Sequence, residues 1–197
     1  DEMGLGESRT VNWKTGNRVL ELKRGVIMGI LNVTPDSFSD GGHFETVASA
    51  LERARAMISE GAEIVDIGGE STRPGAAPVS ENEELSRTIP VVEAVRNEWQ
   101  GLISIDTTKA AVARAALLAG ADIVNDISGL RADAAMVEVC RGSKCGIVVM
   151  HMQGEPRTMQ ESPSYRDVVV EVRHYFEERF RALTAAGIEA DRLCFDP

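Results

Sequence analysis

The chain has 197 residues, of which 43% are hydrophobic and 26% are charged, a composition typical of one globular domain with a sizeable core. Its formal net charge is −10, which argues against binding to nucleic-acid phosphates, because that binding requires a clustered basic footprint. No apolar run approaches the roughly 20 residues of a membrane span. Residues 1–12 also lack the basic-then-apolar pattern of a signal peptide. We therefore expect a cytoplasmic protein that binds neither nucleic acid nor membrane.

The three cysteines, Cys140, Cys145 and Cys194, form an odd set without CxxC spacing and without a histidine cluster beside them. Neither a disulfide framework nor a zinc site is indicated by this pattern. We predict three reduced, partly buried thiols.

After an irregular opening, six short apolar runs have the length and composition of β-strands. Segments with helical periodicity separate them. The predicted strands are residues 26–31, 64–67, 102–105, 123–124, 147–150 and 193–195.

Two of the predicted helices end at a glycine. Apolar residues recur at three-to-four spacing over residues 47–58, before Gly61, and over residues 112–118, before Gly120. A glycine just past the last periodic residue is typical of a helix C-cap.

Two further helices are predicted from their ends. Ser80 and Glu83 form a capping box before an apolar pattern in which Pro90 predicts a kink or a restart. The last helix covers about residues 165–186 and ends before Gly187. Its predicted apolar face carries Val168, Val172, Phe176 and Leu183.

Strands that alternate with helices predict βαβ units and a parallel sheet, either a closed barrel or a doubly wound open sheet, and periodicity does not separate the two. Polar residues follow the strands closely. A single aspartate after a strand is commonly the N-cap of the next helix. Six such residues at successive strand ends predict instead the edge where parallel α/β folds place their active sites. These residues are Asn32, Asp66, Asp106, Asn125, His151 and Asp196.

Two of the loops after strands are unusually long. The first, NVTPDSFSDGG at residues 32–42, has the length of a mobile active-site lid. The second, GGESTRPG at residues 68–75, combines glycines, hydroxyls and a guanidinium that can hold an anion. By composition alone, both could also be ordinary surface connections.

The strings NVTPDSFSDGG and GGESTRPGA, in this order, resemble the two signature segments of the dihydropteroate synthases. The resemblance continues through ISIDTTK, DIVNDISG, VVMHMQGEPRTMQ and CFDP, and covers residues 26–197. It implies that residues 1–197 are a single pterin-binding domain, a (β/α)₈ TIM barrel of which the first six strands are represented. Family members continue beyond the position of Pro197, so we expect the last two strands, with a lysine and an Arg–His pair, to be missing from this chain.

The same resemblance implies a transferase of folate biosynthesis. The expected reaction joins (7,8-dihydropterin-6-yl)methyl diphosphate to p-aminobenzoate and releases 7,8-dihydropteroate and diphosphate. The family is associated with a dissociative, carbocation-like route, with Mg²⁺, with homodimers and with inhibition by sulfonamides. Catalysis by charge stabilisation and positioning suits such a route.

Several site residues carry over from the family motifs. Asn32 matches the ligand of the Mg²⁺ that accompanies the diphosphate, and a neutral amide oxygen is reasonable for that ion. Asp66 either lies near the pterin or orients loops. The matched pterin-binding residues are Asp106, Asn125 and Asp196, with Ile127 and Met150 expected against the ring faces.

The loops supply the remaining predicted contacts. In the second loop, Thr72, Arg73 and Pro74 match substrate-binding residues, and Arg73 is expected to neutralise the diphosphate or to hold the aminobenzoate. We expect Asp106, Arg73 and Asp196 to be the residues most directly involved in catalysis. The predicted first-loop residues are Thr34, Pro35, Asp36, Ser37 and Phe38.

Other readings exist. Another pterin-binding barrel, such as a methyltetrahydrofolate methyltransferase, would share the strand-end residues but not both loops. A non-catalytic pterin-binding or interaction protein is favoured if the polypeptide ends at Pro197. Base catalysis by His43 or His151 is not required, because an arylamine attacks a carbocation-like pterin methylene carbon without prior removal of a proton. We expect His151 to form hydrogen bonds at the pocket edge and His174 to be solvated.

Overall fold

The computed structural model describes residues 11–34, 43–70, 78–152 and 165–197. Eight β-strands and five α-helices lie within these ranges, together with a 3₁₀ turn at Ala190–Arg192. The strands are β1 (Val11–Thr15), β2 (Arg18–Leu22), β3 (Met28–Asn32), β4 (Ile64–Gly68), β5 (Leu102–Asp106), β6 (Ile123–Asp126), β7 (Gly146–Met150) and β8 (Leu193–Asp196). The helices are α1 (His43–Ser59), α2 (Glu81–Glu98), α3 (Ala110–Ala119), α4 (Met136–Gly142) and α5 (Val168–Ala185).

Strands β3 to β8 form one parallel sheet in which neighbours in sequence are also neighbours in space. The six predicted strands and their parallel arrangement are therefore confirmed, although the first begins at Met28 instead of residue 26. A doubly wound sheet reverses its strand order at a switch point, whereas this order runs in one direction, as in a barrel. Within the described residues, β3 and β8 each pair on one side only.

Alternation along each strand gives the sheet two different faces. The outer face packs against the helices in the larger core. The inner face begins as an apolar layer, with Ile64, Leu102 and Ile123 in a second, smaller core. The outer-face residues of the larger core include Leu31, Val65, Ile67, Ile103, Ile105, Val124, Ile147 and Val149.

An antiparallel hairpin of β1 and β2 covers the end of the sheet where the parallel strands begin. Trp13 of β1 is 5% exposed, packs in the inner apolar core and donates its Nε1–H to the carbonyl of Arg192 at 2.8 Å. The expectation of an irregular opening was therefore wrong for residues 11–22. The signal was present in the sequence: the buried Trp13 and Thr15 alternate with the polar Asn12 and Lys14, and Gly16 takes the positive φ of 63° that the tight turn needs.

The first three helices confirm their predicted ends. Ser80 Oγ accepts a hydrogen bond from the backbone N–H of Glu83 at 3.3 Å, which is one of the two hydrogen bonds of a capping box. Gly120 caps α3 with a φ of 114°, in the left-handed region. Helix α2 is continuous through Pro90, so of the two predicted alternatives the restart was wrong and the kink stays a prediction; the buried Val91 and Val92 that follow keep this part of the helix on the core.

The last two helices were predicted less well. Helix α4 was not predicted, because seven residues give too short a periodic pattern. Helix α5 begins at Val168, which is 51% exposed and does not belong to a buried face as expected. The buried residues of α5, Arg179 and Leu183, both lie in its C-terminal half, and Leu183 belongs to the larger core.

Cys140 and Cys145 are buried, Cys194 is half-buried, and none of the three forms a disulfide, which confirms the expectation of reduced thiols. In the described ranges, none of the helices has both the length and the hydropathy that a bilayer crossing needs.

Candidate functional site

The polar residues at the strand ends meet on the inner face of the sheet. Residues 32, 68, 106 and 125 are successive register partners across β3, β4, β5 and β6, and Met150 pairs with Asp196 across β7 and β8. Each of these positions lies an even number of residues along its strand from a residue of the inner apolar core. Because side chains alternate along a strand, all of these positions face the inner side of the sheet. We call these residues the inner rim: Asn32, Gly68, Asp106, Asn125, Met150 and Asp196.

Gly68 leaves room for two oxygen atoms at the inner rim. A Cβ atom at this position would lie 3.4 Å from Asp106 Oδ2 and 3.6 Å from Asn32 Oδ1. Both side chains therefore lie close to β4 at this position, where a Cβ would meet them at ordinary van der Waals distance and a longer side chain would crowd them. The glycine keeps an amide oxygen and a carboxylate oxygen open toward one small volume.

Asp66 lies one inner-face position deeper than Gly68 and is 4% exposed. Its Oδ2 accepts a hydrogen bond from Asn125 Nδ2 at 3.0 Å. Its Oδ1 and the hydroxyl of Ser104, its register partner, are buried without a hydrogen-bond partner among the described residues. Burial raises the pKa of Asp66, since the charged carboxylate loses its hydration.

The inner rim is strongly acidic around Asp106. Burial raises the pKa of Asp106 well above its ordinary value, and the nearby negative charge of Asp66 adds to this, followed by those of Glu84, Asp126 and Glu70. A carboxylate in such a place is stabilised by N–H donors or by a cation. The arrangement therefore suits a ligand group that donates hydrogen bonds or carries positive charge.

A partly buried ion-pair cluster holds the beginning of the second loop. Lys109, just before α3, donates its ammonium to Glu70 after β4 and to Glu84 on α2. Glu84 is 1% exposed, and Arg87 of α2 donates to the carbonyl of Gly69 at 2.9 Å. Sequence reasoning missed this cluster. Its signal was an acid within the buried stripe of α2, where an unpaired charge would be costly.

Tyr175 holds the end of β7. Its hydroxyl donates to the carbonyl of Met150 at 3.0 Å, and it lies so close to Gly129 that a Cβ there would be 2.3 Å from the hydroxyl oxygen. Gly129 also has a positive φ of 63°, which a side chain would strain. Sequence reasoning missed Tyr175, because its contact with residues 25 to 46 positions earlier in the chain leaves no local pattern.

His151 follows β7 at the same edge. Its backbone N–H donates to the carbonyl of Asp196 at 2.8 Å, and its ring meets the Tyr175 ring edge-on with centroids 5.0 Å apart. Burial and, less strongly, the charge of Arg131 lower the pKa of His151. The expected hydrogen bond at the pocket edge therefore comes from the main chain, while the imidazole packs in an aromatic cluster.

The other predicted residues divide into two groups. Thr34 and Ile127 are half-buried next to the ends of β3 and β6, and His174 is exposed on α5, as expected. His43 is the first residue of α1. The loop residues outside the described ranges are Pro35, Asp36, Ser37, Phe38, Thr72, Arg73 and Pro74.

The described residues contain no group of three or more histidine, cysteine, aspartate or glutamate side chains that could hold a metal ion. The oxygen atoms of Asn32 and Asp106 over Gly68 are too few to form a complete coordination shell. Any ion bound at this place would need further ligands from water or from a substrate.

Comparison with known proteins decides the family. The pattern of the pterin binding enzymes matches residues 28–197, from the start of β3 to the end of the chain. The chain belongs to the pterin-binding enzyme family. The inner rim is thus the strand-end edge of a pterin-binding fold, and the open choice between barrel and doubly wound sheet is resolved in favour of part of a TIM barrel.

Individual relatives of this pterin-binding chain are named dihydropteroate synthase. That of Synechocystis sp. is 49% identical over 175 residues, which are 89% of this chain and 61% of the relative. The crystal structure from Burkholderia cenocepacia, complexed with 7,8-dihydropteroate, is 48% identical with a TM-score of 0.83 over 95% of this chain and 63% of that one. The Yersinia pestis enzyme in a sulfonamide drug complex is 45% identical, with a TM-score of 0.86 over 95% of this chain and 68% of that one. The chain spans about three fifths of the length of the curated relatives it matches.

Proposed function

We propose that this chain is the pterin-binding part of a dihydropteroate synthase, a transferase that joins (7,8-dihydropterin-6-yl)methyl diphosphate to p-aminobenzoate. The observation that carries the proposal is the acidic inner rim, which lies on a barrel shared with a solved relative that holds 7,8-dihydropteroate. Dihydropteroate contains both the pterin and the aminobenzoate halves of the expected product. The proposal includes release of diphosphate, as the reaction requires.

The pterin is proposed to bind with its N–H and amino groups toward Asp106, Asn125 and Asp196. These side chains supply acceptors at neighbouring positions, and a pterin supplies the donors that a buried carboxylate needs. Met150 and Ile127 would flank the flat ring with apolar contacts, as pocket walls usually do. A negatively charged pocket also favours the positive charge that develops on the pterin methylene carbon as diphosphate leaves.

The aminobenzoate and diphosphate are proposed to lie toward the two loops. Arg73 is the candidate cation for either group, with Thr72 and Pro74 beside it in sequence and Thr34 to Phe38 in the first loop. Asp106, Arg73 and Asp196 are the proposed catalytic residues: two carboxylates that favour a cationic centre and one guanidinium that favours the leaving anion.

Mg²⁺ fits this proposal as a partner of the diphosphate. Asn32 would hold it through Oδ1, which faces the open volume over Gly68. One neutral oxygen suits Mg²⁺, because this ion commonly keeps several waters and takes its other ligands from substrate phosphates. When bound, the ion would neutralise part of the charge on the departing diphosphate.

A direct assay tests the proposed activity. The intact protein is incubated with pterin diphosphate, p-aminobenzoate and Mg²⁺, and both dihydropteroate and released diphosphate are measured. We expect equal amounts of the two products and a loss of both when Mg²⁺ is chelated. Pterin binding without any product would favour a non-catalytic pterin-binding protein and would contradict the assignment as a synthase.

Three further expectations complete the proposal. Residues 1–197 are proposed to belong to a single barrel domain, the protein is proposed to act in the cytoplasm, and its assembly is proposed to be a homodimer. Sedimentation of the intact protein at several concentrations tests the dimer, and a monomer at all of them would contradict it.

A further inference from the structure

The contact between Asp66 and Asn125 fixes the direction of an amide group at the inner rim. Asn125 Nδ2 donates to Asp66 Oδ2 at 3.0 Å, across β4 and β6, which are separated by β5. The amide nitrogen, and not its oxygen, thus faces Asp66, where Oδ2 accepts the N–H. The amide oxygen then points to the other side of the group.

That oxygen is available to a ligand. Among the described residues, no donor reaches Asn125 Oδ1, and the side chain as a whole is half-buried at the end of β6. Asn125 is the register partner of Asp106, so its side chain stands beside the carboxylate of the acidic inner rim. An amide with the opposite orientation would present a donor at this point and would repel an N–H group of a ligand.

We propose that Asp66 is a positioning residue that sets Asn125 as a hydrogen-bond acceptor toward the pterin and does not itself bind the pterin. The inference rests on the proposed function for the identity of the ligand, while the orientation of the amide does not depend on it. Asp66 thereby decides which kind of ring the pocket accepts. A ring with an N–H group opposite Asn125 Oδ1 is accepted, and a nearly isosteric ring with a bare nitrogen or a carbonyl at that position is not.

The depth of Asp66 favours this indirect role. It lies one inner-face position below Asp106 and is 4% exposed, so a ring that contacts Asp106 and Asn125 would lie above it. Its burial raises the pKa of the carboxyl, a cost that its contacts with Ser104 and Asn125 partly offset. A buried carboxyl such as that of Asp66 destabilises the folded chain by itself, and it is compatible with a role in which it holds the neighbouring amide of Asn125 in one orientation.

A measurement without ligand tests the orientation. In the intact, unliganded protein, we expect the Asn125 side-chain NH₂ protons to exchange slowly with solvent, because one of them is donated to a buried oxygen. Asp66→Leu, which has nearly the same shape and no acceptor, is expected to accelerate this exchange about tenfold or more. Equal exchange in both proteins would overturn the proposal, and backbone amides of β5 serve as the control for general unfolding.

A double-mutant cycle tests the consequence for binding. We expect Asp66→Leu to weaken the binding of a pterin without diphosphate by about tenfold, the size of one hydrogen bond. In an Asn125→Ala background, the same substitution should change the dissociation constant by less than about twofold, because its effect passes through Asn125. Equal losses in both backgrounds would mean that Asp66 contacts the ligand directly, which overturns the proposal.

An exchange of the two residues provides the rescue. In Asp66→Asn combined with Asn125→Asp, the amide of residue 66 can donate to the carboxylate of residue 125, whose second oxygen still accepts toward the ligand. We expect this variant to bind pterin within a few-fold of wild type and more tightly than Asp66→Leu; weaker binding than Asp66→Leu counts against the proposal. Failure of the wild-type protein to bind any pterin would instead contradict the proposed function, while the exchange measurement would still decide the orientation.

Discussion

The two ends of the inner face differ in chemistry. Where the strands begin, Trp13 of the hairpin packs with Ile64, Leu102 and Ile123, and the environment is apolar. Where the strands end, acids and amides gather, and buried oxygen atoms lack partners among the described residues. The apolar end, where the strands begin, stabilises the folded chain. The polar end, where the strands finish, destabilises it, and its buried polar groups can be satisfied by a ligand. In barrels generally, the end where strands begin serves stability and the end where they finish serves function.

Trp13→Ala should break this contrast most severely. The substitution removes a buried indole and its 2.8 Å hydrogen bond to Arg192, and a Trp-to-Ala change in a core costs about 3–5 kcal/mol. We expect this loss in the free energy of unfolding, measured by urea denaturation. Val19→Ala on β2, where the side chain is 56% exposed, is the matched control and should change it by less than about 0.5 kcal/mol. Similar effects of both changes would mean that the hairpin does not close the apolar end.

Asp106→Asn should separate function from stability. Loss of the charge should lower kcat/KM about ten- to a hundredfold, the size of a charge-assisted hydrogen bond. The folded protein should nevertheless become more stable at neutral pH, because burial and the charges of Asp66 and Glu84 disfavour the ionised carboxylate.

The pH dependence of that gain follows from the raised pKa of Asp106. Below the ordinary value of 3.8, the carboxyl is protonated in both the folded and the unfolded chain, so the variant should have no advantage. Above it, the unfolded chain ionises first, and the advantage should grow until the folded-state pKa is passed. Melting temperatures of both proteins between about pH 4 and about pH 8 measure this trend; a variant that is less stable at neutral pH would refute it.

Arg96→Ala tests the loops at the stable end of the barrel. The guanidinium donates to the carbonyls of Trp99 and Gly101, in the loop between α2 and β5. It also donates to the carbonyl of Gly120 and the carboxylate of Asp122, in the loop between α3 and β6. Its removal leaves these acceptors unpaired, and we expect a loss of about 2 kcal/mol in the free energy of unfolding without a change in pterin affinity. A change in pterin affinity as large as that in stability would show that the two ends are not independent.

Arg55→Ala should have the smallest effect. Arg55 makes a two-pronged ion pair with Glu98, but its side chain is 55% exposed, where solvent screens the attraction. We expect no measurable change in melting temperature or in activity. Together with the larger effect expected for Arg96, this result would show that burial and the number of carbonyl acceptors decide the contribution of an arginine, and a large effect at Arg55 would contradict this.

Much of the parallel sheet and of the site could be predicted locally. The six strands, the glycine cap of α3 and the capping box of α2 depend on residues that are near one another in sequence, so their patterns are visible there. The alignment of Asn32, Asp106 and Asn125 at one edge also followed, because parallel strands share their direction. Family resemblance named the pterin, which the spacing of these residues alone does not.

The remaining features depend on contacts between distant residues. Helix α2 does not restart at Pro90, because the packing of Val91 and Val92 outweighs one missing hydrogen bond in the helix. Val168 was wrongly predicted on a buried face, because only the later turns of α5 reach the core. The roles of Tyr175 and Glu84 arise from contacts with Met150 and Lys109, and neither residue has a local signature.

The sequence by itself thus determined the order of strands and helices, the edge that carries the polar residues and the family. Only the tertiary structure decided that Trp13 closes the opposite end, that Gly68 leaves space for two oxygen atoms and that Asp66 turns the amide of Asn125. The physical reason is that strand order and edge chemistry follow from local periodicity. Burial, hydrogen-bond direction and charge coupling depend on which distant side chains meet, and these decide what the inner rim can bind.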